Sequence, residues 1–543
     1  MERTFRGGIL FFTQNARDKV GVPWELIENY SKDSTIHGVK YVCGKKQHCC
    51  IKIFWIIIFA MSFYFCAQNI IEINKVREER PVMISIGKKL IPIFEIPFPA
   101  ITICPEMKAK CNKINLTEII NRKSQNYSEE EMQNMLALNH VCESHLYDDN
   151  IKNITKNNKN IKQFDIIEKL NELSFRFDEM FFKCRFGEYE YKNCEKYFHK
   201  VITDVGICYT FNMLDHTDFI NNNSMHMDLH KPAHGKKSCW SLNKDYDSMK
   251  VKVYPKRIIN NGQQSGLSVI FKVNSSMLCS NCVFSPYGFR VTLHMPVELS
   301  SLSKQFYNIP FRRETNLIVK PNMIYASKDI KDYEPNSRQC YFSNEKKLKF
   351  YKIYSKANCE LECKANFISR LCGCVKFSMP RSNETTVCNS AQLECVYQTE
   401  LNYTTRDLQR KLLEKQLKKD IKQGKTNKND ERFEELEKLG SCNCLASCTN
   451  IKYDVEISQT DYDYFTEDDF LTAKLNVYFK DYYFSRLKRY EIYGWSDFLS
   501  NSGGTLGLFM GCSVLSFIEI IYHVIIYCIN KIKSKMSSEI IPS

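Results

Sequence analysis

The chain has 543 residues, 43% of them hydrophobic, enough for two or three packed domains and too apolar for a disordered polymer. Lys and Arg number 76 against 62 Asp and Glu, a formal charge of +14. The two signs are interspersed and no arginine-rich stripe or zinc-finger spacing occurs, which argues against a nucleic-acid partner.

In chain order, residues 1–50 form a polar N-terminal segment containing "STIHGVKYV". Cys43, Cys49 and Cys50 close it, and two readings of them stay open: thioester acylation beside a membrane, or free thiols in a reducing compartment. Residues 51–71 then read as a first transmembrane helix, because "IFWIIIFAMSFYFCAQNII" carries no charge and spans a hydrocarbon core of roughly 30 Å. A cleaved leader is the competing reading, but the run starts some fifty residues in and lacks an A-x-A-like site.

Residues 72–494 hold 19 of the 25 cysteines, between Cys104 and Cys448. That density predicts an oxidising compartment and a disulfide framework. Sequons at Asn115, Asn126, Asn153, Asn222, Asn274, Asn383 and Asn402 fall in the same stretch, so it reads as extracellular, with both termini cytoplasmic. Lysines and arginines flank both sides of the first span, so the positive-inside rule does not decide the orientation.

Within this region, 81–105 is proline-rich and β-branched, which predicts extended chain. Residues 112–183 carry helical periodicity, with a capping box expected at Ser128 and Glu131. "LSVIFKV" and "FRVTLHM" alternate as strands. Residues 403–440 read as a charged helix with one packed face, from Leu408, Leu412, Leu413 and Leu417, broken by a Gly/Asn/Lys stretch. Leu475, Val477 and Phe479 alternate as a returning strand. The sum is an α+β ectodomain on a central antiparallel or mixed sheet.

Two constellations have metal-ligand spacing. His226, His230 and His234 recur every four residues, but Pro232 and Gly235 interrupt a helix there. Cys279 and Cys282 have knuckle spacing, which outside the cell favours disulfides. The reading is no metal, no cofactor and, with no G-x-S-x-G elbow, H-E-x-x-H or P-loop, no enzyme.

Residues 495–529 form the second span, and 530–543 a short cytoplasmic tail. On an ideal helix Ser502, Thr505, Ser513, Ser516, Glu519 and His523 share an arc of about 120°, with Gly503, Gly504, Gly507 and Gly511 opposite. The glycine face suits close helix packing; the polar face, with an ionisable group inside a membrane, calls for an aqueous path in an oligomer.

These motifs resemble the degenerin/epithelial sodium channel superfamily, and within it the insect pickpocket-type subunits. The resemblance is carried by His37-Gly38 in "STIHGVKYV", by "FPAITIC" and "GICYTFN", by "YSKANCELECKANFISRLCGCVKFSMP" with "CNCLASC", and by "LSNSGGTLGLFMGCSVLSFIEI". It implies a two-transmembrane-helix channel subunit with a large, disulfide-rich, hand-like α+β ectodomain, assembled as a homo- or heterotrimer of related subunits in a lipid bilayer. It implies passive, amiloride-sensitive sodium transport across the plasma membrane, gated by a ligand or by force.

By residue matching, Gly511, Cys512 and Ser513 fill the selectivity position and His37-Gly38 the gating motif. Ser500, Gly503, Gly504 and Glu519 belong to the pore and gate, and a bulky residue at Ser500 is expected to hold the channel open. The implied disulfides are Cys104 with Cys208, Cys184 with Cys194, Cys340 with Cys448, Cys359 with Cys444, Cys363 with Cys442, Cys372 with Cys395 and Cys374 with Cys388. Cys111, Cys142, Cys239, Cys279 and Cys282 stay unassigned, an odd number. In this family the G-x-S belt can be extended, which would shift the register of everything after Ser513. The alternative function is a receptor or auxiliary subunit that conducts only within a heteromer.

Overall fold

The computed structural model describes residues 24–43, 48–79, 82–121, 127–142, 164–222, 253–278, 287–299, 301–423, 442–463, 469–492 and 494–539, with isolated positions between them. In chain order the main elements are α1 (Trp24–Asp33), α2 (Val39–Cys43), α3 (Cys49–Glu79), β1 (Val82–Pro92) and β2 (Ala100–Pro105). There follow α4 (Glu129–Leu138), α5 (Ile166–Leu173), β3 (Phe181–Phe186), β4 (Tyr189–Tyr191), β5 (Phe198–Thr203), β6 (Gly206–Phe211), β7 (Leu267–Asn274), β8 (Phe289–His294), β9 (Tyr307–Ile309) and β10 (Arg313–Ala326). The chain continues with α6 (Lys356–Cys372), α7 (Leu393–Lys422), β11 (Asn450–Asp461), β12 (Phe470–Phe479), β13 (Tyr483–Glu491), α8 (Trp495–Met510) and α9 (Val514–Glu539). They divide into a membrane unit, Met1–Met83 with Tyr490–Ser543, and an ectodomain, Ile84–Arg489.

The ectodomain is built on two sheets. A mixed sheet runs β1-β13-β10-β12-β7-β3-β4, with β11 also on β10. β10 pairs antiparallel with β11 from Arg313–Asp461 to Ile324–Asn450, and parallel with β12 and β13. The second sheet, β5-β6-β2-β8-β9, is antiparallel throughout.

Strand periodicity places the core. Leu475, Val477 and Phe479 of β12 and Leu267, Val269, Phe271 and Val273 of β7 turn to one side and are fully buried. Phe98 centres this core, edge-on to Phe186, Phe211 and Phe479. β2 and β6 are buried on both faces, so they carry continuous apolar runs rather than alternation.

The helices lie outside the sheets. α4 opens with the expected capping box, Ser128 accepting from the Glu131 amide while the Glu131 carboxylate accepts from the Ser128 amide. Only half of the leucine stripe expected on α7 packs: Leu417 is buried and Leu413 half-buried, whereas Leu408 and Leu412 face solvent.

Seven disulfides are present among the described residues, and they are the pairs that the resemblance implies. Cys340–Cys448, Cys359–Cys444 and Cys363–Cys442 close loops of 108, 85 and 79 residues, and the last two tie α6 to the segment after α7. Cys111 and Cys142 are also disulfide-bonded, so two of the five unassigned cysteines are engaged. Cys239, Cys279 and Cys282 lie outside the described residues, as do His226, His230 and His234 and the sequons Asn126 and Asn153. Of the other sequons, Asn222, Asn383 and Asn402 are exposed and Asn115 and Asn274 half-buried.

In the membrane unit, α3 and α9 are each long and apolar enough to cross a membrane. α3 runs beyond the expected 51–71, from Cys49 to Glu79. The second span is not the single helix expected over 495–529 but two, α8 and α9, separated by Gly511–Ser513. α8 packs along α3, and Arg77 near the end of α3 lies over the Trp495 and Phe498 rings at 4.3 and 5.4 Å.

Candidate functional site

The break in the second span is set by local chemistry. α8 ends at Met510 because Gly511 adopts φ +67°, ψ 14°, a left-handed cap that glycine takes without a Cβ penalty. Ser513 restarts the helix: its Oγ accepts from the Ser516 amide three residues on, the pattern of an N-cap. Gly511, Cys512 and Ser513 thus form a three-residue linker between the carbonyl end of one helix and the amide end of another.

That linker is braced by the N-terminal segment. The His37 amide donates to the Met510 carbonyl at 2.9 Å, satisfying one of the orphan acceptors at the end of α8. The His37 ring lies over Gly511, where an added Cβ would stand 2.7 Å from ring carbons. Gly38 at φ +88° turns the chain away, and its carbonyl accepts from Tyr41 and Val42 as α2 begins. Tyr41 then stacks on Trp55 of α3, centroids 4.6 Å apart.

A chain of hydrogen bonds joins the two segments. Glu519 accepts from the Thr35 amide at 3.3 Å and from the Thr35 hydroxyl at 2.9 Å, both through Oε2. With the Thr35 proton committed to a carboxylate, its Oγ1 is left to accept from the Ser516 hydroxyl at 2.8 Å. Ser516 Oγ accepts in turn from the Ser513 amide at 3.1 Å. The order Ser513 → Ser516 → Thr35 → Glu519 follows from the acceptor-only character of the terminal carboxylate. Ser516 is 1% exposed. One turn beyond Glu519 on α9, His523 meets the Tyr30 ring edge-on at 5.7 Å.

These contacts correct the ideal-helix projection. The helix breaks at Gly511, so a single projection does not carry through to Glu519, which bonds to Thr35. Ser502 is buried, so it does not lie on an open face. A Cβ at Gly503 or Gly504 would meet nothing within 4 Å, so the glycine face is open in this subunit at those two positions, whereas at Gly511 it is closed by His37. Ser500 lies exposed on α8.

The ectodomain holds a cavity of about 1500 Å³ walled by α6, α7, the end of β8 and the start of β11. Glu400 on α7 is held there by Lys364 and Lys376, each at 2.9 Å, and the two ammonium groups lower its carboxyl below the usual range against the effect of burial. Glu298 on the same wall goes the other way: burial raises its carboxyl to about 7, with Ser355 and the Met295 backbone opposing. His294 is held to about 4 by burial. Its Nδ1 faces the Met295 carbonyl at 2.9 Å and must donate, leaving Nε2 to accept from Thr102 at 2.8 Å. Among the described residues no cluster of His, Cys, Asp and Glu gathers with metal-ligand geometry.

Two membrane-crossing helices, one broken at a G-x-S linker, and a cross-braced β-rich ectodomain between them define a two-span membrane protein of the ion-channel class. The chain belongs to the family described as amiloride-sensitive sodium channel, whose sequence profile matches residues 30–523. It is similar to Pickpocket protein 28 of Drosophila melanogaster, 28% identical over 530 residues covering 92% of this chain and 79% of that one. It is 24% identical to the Drosophila melanogaster sodium channel protein Nach over 91% of this chain and 86% of that one. Human acid-sensing ion channel 2 is 18% identical over 92% and 86%. The chain is a cation channel subunit of the pickpocket type.

Sequence reasoning named His37, Gly38, Gly511, Ser513 and Glu519 as candidates but not Thr35, whose hydroxyl bonds to Ser516 and Glu519. Its signal was its position two residues before the His-Gly pair; its partners, 481 and 484 residues away, left no local trace.

Proposed function

We propose that this subunit forms a sodium-selective, amiloride-sensitive channel as a trimer, alone or with related subunits, with both termini cytoplasmic. The observation that carries the reading is the bracing of Gly511–Ser513 by His37 and by the Thr35, Ser516 and Glu519 chain.

In this reading three copies of the Gly511, Cys512 and Ser513 linker surround the ion path. A sodium ion sheds part of its hydration against backbone carbonyls at the end of α8, where the helix dipole is negative, and against Ser513. Glu519 adds negative potential below. The open faces at Gly503 and Gly504 receive neighbouring helices, and Ser500 faces the constriction. The linker is a fixed ring because the N-terminal segment buttresses it, and movement of that segment changes the ring. The ectodomain cavity gives a gating ligand a place to act.

The test is voltage clamp of cells expressing the chain alone, with Ser500 replaced by phenylalanine to hold the pore open. An amiloride-blocked sodium current is expected. Silence despite surface delivery would instead favour a subunit that conducts only within a heteromer.

A further inference from the structure

Away from the linker and the large cavity, a second cavity of about 290 Å³ opens beside the last turns of α6. Three segments wall it: Lys349 before α6, Asn366, Ser369 and Arg370 on α6, and Arg381 and Thr385 on the loop after α6. Three of these six side chains are cations and three are hydroxyl or amide donors. Among the described residues no carboxylate lines the cavity.

Local structure brings the six together. Asn366, Ser369 and Arg370 share one face of α6 at spacings of three and four. Gly373, at φ +72°, ends the helix and turns the chain back along it. The loop that follows is closed by the Cys374–Cys388 disulfide and by pairing of Cys374 and Val375 with Thr386 and Val387. Arg381 therefore stands on a framework fixed at both ends. Lys349 is fixed from the ectodomain core, where Asn221 Nδ2 donates to its carbonyl at 2.9 Å and Phe350 is buried.

Ion pairing does not account for these charges. The Lys349 ammonium lies 5.2 Å from the Phe350 ring, and no carboxylate among the described residues pairs with it or with Arg370. Glu362, one turn before Asn366, is spent on the Lys349 and Phe350 amides, each at 2.9 Å. Arg370 in the last turn offsets the dipole of α6, which explains one cation there and not its meeting with two more. Arg381 is 9% exposed, and a guanidinium withdrawn from bulk water attracts an anion more strongly than an exposed one.

We propose that this cavity binds a sulfate or phosphate group. Two guanidinium forks and an ammonium match the charge and shape of a tetrahedral oxyanion. Asn366 and Ser369 add neutral donors, and Thr385, whose hydroxyl can accept from Ser382 at 3.0 Å, keeps its own proton to donate. The cavity has room beyond one such group, so the free ion and the group esterified to a sugar both fit. Binding joins three segments whose cations otherwise repel one another, and it ties the end of α6 and its loop to the core at Lys349. The proposal does not depend on conduction.

The test is isothermal titration of the purified full chain in detergent with sodium sulfate, sodium phosphate and glucose 6-sulfate, at constant ionic strength. Saturable binding of one group per subunit is expected, weakened at least about tenfold in K349Q/R370Q and by less in each single variant. Lys349 and Arg370 are exposed, so these variants should keep the melting temperature of the anion-free protein. Tighter binding of the sugar ester than of sulfate would assign the site to a glycan, and equal or weaker binding to the free ion; both support it. No saturable heat, or the same affinity in K349Q/R370Q as in the unaltered chain, would overturn the proposal and leave the channel reading standing.

Discussion

The His37 ring occupies the space that any side chain at Gly511 would need, a Cβ there falling 2.7 Å from its Cγ and Cδ2. The N-terminal segment and the linker are therefore fitted to each other, and the left-handed backbone at Gly511 adds an independent demand for glycine.

It follows that G511A suffers twice, from a steric overlap and from about 1–2 kcal/mol of backbone strain. Sodium current per surface subunit should fall at least tenfold. H37A removes the overlapping ring and leaves the backbone penalty, so G511A/H37A should conduct better than G511A alone. Voltage clamp normalised to surface biotinylation reads both.

Thr35 and Glu519 belong to one hydrogen-bond chain, so their effects should not add. T35V removes the bridging hydroxyl and E519Q the charged acceptor, and a charge-assisted bond is worth about 1.5–3 kcal/mol. A double-mutant cycle on the free energy of opening should give a coupling of at least about 1 kcal/mol, whereas T35V with the distant N383Q should give none.

The ectodomain should lose stability on acidification, with a slope that Glu298 masks. Both ring nitrogens of His140 are buried without a hydrogen-bond partner among the described residues, and burial beside Phe377, with Lys376 nearby, holds the imidazole to about 4. His294 is held to the same value. Their folded values lie below the ordinary 6.5, so between about pH 6.5 and 4 the unfolded chain binds two protons that the fold refuses, and stability falls as pH falls. Glu298 has the opposite sign. Its folded value is raised to about 7, so its stabilising contribution is full below about 4.5 and is lost as pH rises through 7. Between pH 6 and 5 the two histidines outweigh Glu298, a net loss on the order of 1 kcal/mol per pH unit; E298Q should roughly double that slope. Urea denaturation of the purified chain at pH 6 and 5 measures it, and H140F should halve the slope in the E298Q background.

The membrane helices form a second latch. The Arg77 guanidinium over Trp495 is worth about 0.5–2 kcal/mol as a cation–π pair. W495A should shift the gating equilibrium by a factor of about 2–30, and W495F by less, in single-channel open probability.

Much of this architecture was legible in the sequence, because period-two strands, a capping box and charge-free runs are local signals. Leu475, Val477 and Phe479 point inward as their alternation predicts, and Ser128 caps α4. What escaped was non-local. A uniform turn of 100° per residue could not foresee the helix break at Gly511, beyond which Glu519 bonds to Thr35. Leu408 and Leu412 share spacing with Leu417, but only the packed partner decides which side of α7 is buried. The cavity is walled by residues from 202 to 454, and no window of sequence contains it.

The central claim is that Gly511–Ser513, braced from the N-terminus, selects the ion. Its most direct test is the shift in reversal potential when external sodium is replaced by potassium, measured on the S500F channel with and without S513A. The account predicts a strongly negative shift in S500F that S513A reduces by at least half, at comparable surface density. An unchanged shift in S513A would place selection elsewhere and contradict the assignment.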